Sequence, residues 1–127
     1  MGSSLTSITW TGAFNNGVFG EVQGLSEQGI STSLIIDGTS QTICIAESAD
    51  RDPTSGGLWI SGFNCFSQDN GGIGASGGGE IFSMHKTGAQ IALADGATRY
   101  VWNSIDPYVL GALCTRNLQE LVDDNAY

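Results

Sequence analysis

His85 is the single histidine among the 127 residues, so two imidazoles of one chain cannot share a metal ion. It stands ten positions before Asp95, and a histidine–aspartate pair is a candidate for acid–base chemistry. If residues 81–85 and 89–94 pair as neighbouring strands, the two side chains lie roughly 20 Å apart at about 3.3 Å per residue. We therefore expect separate structural roles, with Asp95 making a turn and His85 bonding near a strand end.

The sequence supports neither a nucleophilic catalytic site nor a nucleotide-binding site. No serine lies in a G-x-S-x-G pattern, and no Gly-Lys-Ser/Thr follows a glycine run. Residues 72–77 spell G-x-G-x-x-G, but a dinucleotide site needs a strand before this pattern and a helix after it. Here a polar loop precedes it and an apolar, strand-like segment follows. We expect a surface loop at this position and no enzymatic activity.

Carboxylates in predicted turns and loops are candidates for binding calcium, the one cofactor that the sequence suggests. Calcium prefers several oxygen ligands, which acidic loops can supply. No EF-hand spacing is present, so these positions are weak candidates: Asp37, Asp50, Asp52 and Asp69. Trp59 and Phe63 lie near glycines and could stack on a sugar, although burial in the core is the more common role for such aromatics.

Composition and charge restrict the partners. The chain has 13 acidic and 4 basic residues, a formal charge of −9, and charged residues are only 13% of the total. Nucleic acid and anionic membrane surfaces would be repelled, and no segment approaches the roughly 20 apolar residues of a membrane helix. Few charges and 19 glycines are typical of an extracellular domain of short strands and tight turns.

Three cysteines, Cys44, Cys65 and Cys114, lack metal-site spacing. The odd number allows one disulfide, formed by any one of three possible pairs, and leaves one free thiol. Because each cysteine has apolar neighbours in the sequence, the alternative to a disulfide is that all three thiols are free and buried.

A hairpin is the clearest predicted element. Residues 89–94 and 97–102 flank Asp95-Gly96, which predicts a two-residue turn of the primed type. That turn places Leu93 opposite Thr98 and Ile91 opposite Tyr100. The predicted core face then holds Ile91, Leu93, Tyr100 and Trp102, and the other face holds Gln90, Ala92 and Arg99.

A short helix is predicted after the hairpin. Asp106 suits the N-cap and Pro107 the first helical position, and apolar residues follow at helical spacing up to about residue 116. Further strands are predicted at residues 6–14, 42–46, 58–63 and 81–84, and residues 118–122 read as a returning strand. The expected fold is mostly β, of the α+β class: an antiparallel sheet with one short C-terminal helix near 106–116.

Four ordered blocks of the sequence resemble one family. Residues 85–96 (HKTGAQIALADG), with motif residues His85, Asp95 and Gly96, look like the H-x(9)-D-G signature of planctomycete prepilin-like proteins, which are similar to type II secretion pseudopilin G. Residues 36–42 (IDGTSQT) with 47–48 (ES), 104–107 (SIDP) with 112–116 (ALCTR), and 120–124 (ELVDD) resemble its other blocks. The resemblance covers residues 17–127.

This resemblance implies a pilin-like head domain with a structural role in an extracellular or cell-surface filament. Family members carry a long N-terminal hydrophobic helix, which has no counterpart here. The glycine-rich turns after the family's His and Arg are also replaced, by Lys86-Thr87-Gly88 and Asn117-Leu118-Gln119, so the local turns are expected to differ.

Residues 1–16 are predicted to be a strand-like arm in front of a head domain, 17–127. Ile8 and Trp10 share one face of this arm, and the arm could add to the sheet edge of another copy. Its alternative role is an ordinary first strand of its own sheet. The sequence thus predicts a filament subunit whose partners are copies of itself, with a cell-surface calcium- or glycan-binding module as the alternative.

Overall fold

The computed structural model describes residues 17–18, 30–50, 68, 72–74, 80–123 and 125–127. Three antiparallel strands form a sheet in the order β1-β2-β3, with β1 Ile43–Ala46, β2 Gly88–Leu93 and β3 Thr98–Trp102. Helix α1, Pro107–Cys114, follows the sheet, and short 3-10 helices at Thr32–Leu34 and Thr39–Gln41 precede it. The predicted α+β class is confirmed. The predicted strands at 6–14 and 58–63 lie outside the described residues.

Helix α1 begins and packs as its sequence dictates. The Asp106 carboxylate accepts a hydrogen bond from the Tyr108 N–H at 2.7 Å, and Pro107 occupies the first turn. Leu110 and Leu113 are fully buried, which contributes about 1.5–3 kcal/mol for each side chain. They join one buried cluster between the helix and one face of the sheet, here called the inner face: Ile73, Ile81, Ala89, Ile91, Leu93, Val101, Ile105, Leu110 and Leu113.

Strand β1 lies at one edge of the sheet and contains a bulge. Ile43 pairs with Leu93, but Ile45 pairs with Ala92, so Cys44 is the extra residue. The bulge keeps Ile43 against the core and turns Ile45 outward, where it is 63% exposed. The predicted strand at 42–46 is therefore present as β1, in which three side chains are half-buried and Ile45 is exposed.

The loop of the β2–β3 hairpin has one residue more than predicted. The Gly96 N–H donates to the Leu93 carbonyl and the Leu93 N–H donates to the Ala97 carbonyl, so Ala94, Asp95 and Gly96 form the loop. Of these three, only Gly96 has a positive φ, of 88°. This geometry fits a type I turn that ends in a left-handed glycine, whereas a primed turn would require positive φ at Asp95 as well. Asp95 does make the turn, because its carboxylate accepts the Ala97 N–H at 2.8 Å.

The longer loop moves the strand register by one residue. Ala92 lies opposite Thr98, Ile91 opposite Arg99 and Gln90 opposite Tyr100. The predicted pairing was therefore wrong, and a one-residue shift exchanges the two faces of a strand. Val101 is buried on the inner face, whereas Trp102 is 57% exposed and Tyr100 half-buried on the opposite face, here called the outer face.

Residues 81–84 are not a strand, contrary to the prediction. Ile81 is buried in the core, and Phe82 makes only an isolated parallel bridge with Ser48. Alternate side chains of this segment are buried, which gives its sequence a strand-like pattern although the backbone forms no strand. Residues 118–122 also have no regular structure, because Gln119 takes a positive φ of 61° and interrupts the extended chain.

Candidate functional site: an aromatic row and an open strand edge

The outer face carries a row of three aromatic side chains, His85, Tyr100 and Trp102, here called the aromatic row. The rings of His85 and Tyr100 have centroids 6.1 Å apart at an interplanar angle of 69°. Those of Tyr100 and Trp102 are 5.3 Å apart at 80°. Both contacts are edge-to-face, which aromatic pairs prefer. The row is held as a unit, with Tyr100 in its middle.

Gly88 explains how the centre of the row is positioned. Tyr100 leans across the strand, so that a Cβ on Gly88 would lie 2.8 Å from Tyr100 Cε1 and would collide with the Val101 carbonyl oxygen. The Tyr100 hydroxyl also lies 2.9 Å from the Thr87 hydroxyl. The Tyr100 ring therefore packs directly against the backbone of Gly88, where a side chain would displace it.

His85 lies at one end of the row, where its side chain is 60% exposed. Its Nε2 is 4.0 Å from Glu47 Oε1, an ion pair only when the imidazole is protonated. The other oxygen of Glu47 accepts the Gln90 N–H at 2.7 Å, which ties the carboxylate to β2. Asp95 lies at the other end of the hairpin, where its carboxylate accepts the Ala97 N–H, so the two motif residues have different structural roles.

Strand β3 has an edge on the side away from β2 that no other described strand occupies, here called the open edge. The Leu93 N–H bonds the Ala97 carbonyl at one end, and the Asn103 N–H bonds the Thr87 carbonyl at the other. Hydrogen-bonded and non-bonded pairs alternate in an antiparallel ladder, so the N–H groups of Thr98, Tyr100 and Trp102 point away from β2. Within the described ranges, no strand pairs with this edge.

Asp37 connects two parts of the chain that are far apart in sequence. Its carboxylate accepts the Gln119 N–H at 2.6 Å, the Leu118 N–H at 3.1 Å and the Thr115 hydroxyl at 3.4 Å. Its own N–H donates to the Arg116 carbonyl at 3.1 Å. The Asp37 carboxylate thus caps the segment of chain that follows α1. Sequence reasoning missed this contact because it joins residues 81 positions apart.

The other calcium candidates are only partly covered by the structure. Asp50 is half-buried, whereas Asp52 and Asp69 lie outside the described residues, as do Trp59, Phe63, Ile8 and Trp10. The part of the chain that the structure describes contains no group of three His, Cys, Asp or Glu side chains placed to hold a metal ion. Calcium binding stays a prediction.

Cys44 and Cys114 are free thiols, and Cys65 lies outside the described residues. Burial raises the pKa of the Cys114 thiol to about 12, and the negative charge of Glu80 adds to the effect. Burial also raises the pKa of Cys44, whose thiol donates to the Leu93 carbonyl at 3.4 Å.

The raised pKa of Cys114 predicts a loss of stability at alkaline pH. The folded state favours the neutral thiol, so this stabilisation is complete below the unfolded pKa of about 9 and declines as the pH rises towards 12. Urea unfolding of the wild type and of Cys114→Ala at pH 8 and pH 10.5 measures this effect. We expect the wild type to lose more stability than the variant over this interval. An equal loss in the two proteins would show that Cys114 ionises equally well in both states.

No protein-family model, curated protein or solved structure matches the chain. In the described residues, no helix has both the length and the apolar character needed to cross a membrane.

Proposed function

We propose that this chain is a structural subunit of an extracellular, pilus-like filament, in which the β3 edge of one copy receives the N-terminal arm of the next. The observation that carries the proposal is the outer edge of β3, which pairs with no strand among the described residues. A row of outward N–H groups is a ready template for another strand. The predicted donor is the arm of residues 1–16, whose alternation at residues 7–10 suits a strand.

The resemblance to the prepilin-like family supports the same role. Two of its blocks meet through Asp37, which contacts Thr115 and the Arg116 carbonyl. A third block includes Asp95 and Gly96, which build the hairpin loop next to β3. The residues that carry the resemblance therefore have scaffold positions, which is expected of a structural protein.

Strand addition of this kind gives a filament in a direct way. Each outward N–H that finds a carbonyl contributes on the order of 1 kcal/mol net. Burial of Ile8 in the neighbouring copy would add roughly 1.5–3 kcal/mol, and Trp10 has more area to bury. Because donor and acceptor are different surfaces, repetition is head-to-tail and produces an open filament when the rotation does not close.

Deletion of residues 1–11 tests the donor half of this proposal. We expect the full chain to form fibres in negative-stain microscopy and the deleted chain to remain a folded monomer. The matched control is Ile8→Val, which keeps the strand pattern and should keep the fibres. Unchanged fibres after the deletion would contradict the proposal. An unfolded product would assign the arm to its own sheet, which contradicts it as well.

A further inference from the structure

We infer that the aromatic row is a binding site for a neutral carbohydrate, a role separate from filament assembly. Trp102 is 57% exposed at one end of the row, and the His85 side chain is 60% exposed at the other. Large exposed aromatics held in fixed positions by neighbouring rings are pre-organised for a ligand, since little side-chain freedom is lost on binding.

The row lies beside hydrogen-bonding groups. Gln90 pairs with Tyr100 across the sheet, and its exposed side chain therefore lies on the same face. Among the described residues, neither the Gln90 amide nor the Trp102 indole N–H has a hydrogen-bond partner. Apolar ring surfaces next to a few free polar groups form the usual lining of a small-ligand site. A sugar presents the same combination, with C–H groups on its ring face and hydroxyls at its rim.

The shape of the row favours a ligand with several rings in succession. Because the rings of Tyr100 and Trp102 are nearly perpendicular, the row presents ring faces and ring edges in turn along an angled surface. The centroid spacings of 6.1 and 5.3 Å are comparable to the spacing of successive sugar rings in a glycan chain. The open side of β3 is a backbone edge and a different surface, so a glycan and a neighbouring subunit do not compete for the same groups.

Charge distinguishes a neutral glycan from the other ligands that stack on aromatics. A nucleic acid also stacks on such rings, but its phosphates would meet a chain with a formal charge of −9. The Glu47 carboxylate beside His85 would also repel an acidic sugar. A neutral polysaccharide avoids both penalties.

Affinity electrophoresis in native gels tests this inference. The probes are hydroxyethylcellulose, galactomannan and laminarin as neutral polymers, and heparin as an anionic polymer. We expect at least one neutral polymer to retard the wild type. Trp102→Ala should weaken that interaction at least about tenfold. Tyr108→Ala is the matched control, because Tyr108 is an exposed aromatic, at 52%, on α1 and away from the row. Its retardation should equal that of the wild type.

Three results would overturn the inference: no retardation by any neutral polymer, retardation by heparin alone, or equal retardation of wild type and Trp102→Ala. A thermal melt establishes that each variant is folded. Should Trp102→Ala not fold, Trp102→Phe replaces it, because phenylalanine keeps a ring and lacks the indole N–H. Binding severalfold weaker in Trp102→Phe supports the site, and unchanged binding overturns it.

Discussion

Replacement of Gly88 by alanine is expected to destabilise the protein by at least about 3 kcal/mol, the upper part of the usual range for overpacking. The new methyl group would collide with the Val101 carbonyl oxygen, which belongs to the backbone of β3 and cannot rotate away. It would also displace the Tyr100 ring from its packing position against the Gly88 backbone. The two strands must separate locally to make room, at the end of the ladder where Gly88 pairs with Trp102.

Urea unfolding followed by circular dichroism measures this effect. Gly72→Ala is the matched control, because a Cβ at Gly72 meets only the Asn103 carbonyl oxygen at an ordinary 3.7 Å. The control should have an unfolding midpoint close to that of the wild type. A Gly88→Ala protein as stable as this control would show that β2 and β3 do not approach each other as described.

Replacement of Asp37 by alanine is expected to cost about 2 kcal/mol or more, because hydrogen bonds to a charged group are among the stronger ones. The change removes the acceptor of two backbone N–H groups, those of Leu118 and Gln119, and of the Thr115 hydroxyl. The C-terminal segment would then lose its attachment to the turn at Asp37. Limited proteolysis should cut residues 117–123 faster in the variant.

Two further variants separate this role from a general effect of charge. Asp37→Asn keeps one acceptor oxygen and should fall between the wild type and Asp37→Ala. Asp123→Ala removes an exposed carboxylate whose hydrogen bonds to described residues go to nearby Asn125, and should leave the unfolding midpoint unchanged. If Asp37→Ala also leaves the midpoint unchanged, Asp37 does not hold the C-terminal segment.

The parts of the fold that local sequence determines were predictable. The N-cap Asp106, the first-turn Pro107 and the buried positions of α1 follow from adjacent residues, and the structure has them where the sequence predicts. Asp95-Gly96 likewise predicted a hairpin between two apolar strands. Each of these features depends on residues that are near one another in the chain.

The register of the hairpin could not be read in the same way. Asp-Gly suits a two-residue loop and also the end of a three-residue loop, and the choice between them exchanges the faces of β3. The decision depends on packing: Ala89 and Val101 are fully buried on the inner face. Arg99, also on that side, is accommodated at the sheet edge with its guanidinium 5.3 Å from the Tyr127 ring centroid. The aromatic row was missed because large aromatics are usually assigned to the core.

The sequence offers Asp37 as a weak calcium candidate, and it does not predict that the Asp37 carboxylate accepts main-chain hydrogen bonds. Only tertiary structure brings Leu118 and Gln119 to it. No local sequence pattern predicts that contact. The blocks that resemble the prepilin-like family nevertheless include residues on both sides of it.

Strand exchange between copies is the central claim, and a mixing experiment tests it most directly. The chain lacking residues 1–11 has the acceptor edge and no donor. Thr98→Pro has the donor, but it loses an outward N–H at the start of β3, where proline leaves the β2–β3 ladder intact. Each protein alone should sediment as a monomer, and Thr98→Ala, which keeps the N–H, should still form fibres.

Sedimentation velocity of the equimolar mixture gives the decisive result. We expect a one-to-one heterodimer and no larger species, because the single intact donor and the single intact acceptor satisfy each other and growth stops. A mixture that contains only monomers, or fibres formed by either variant alone, would contradict assembly through the N-terminal arm and the β3 edge.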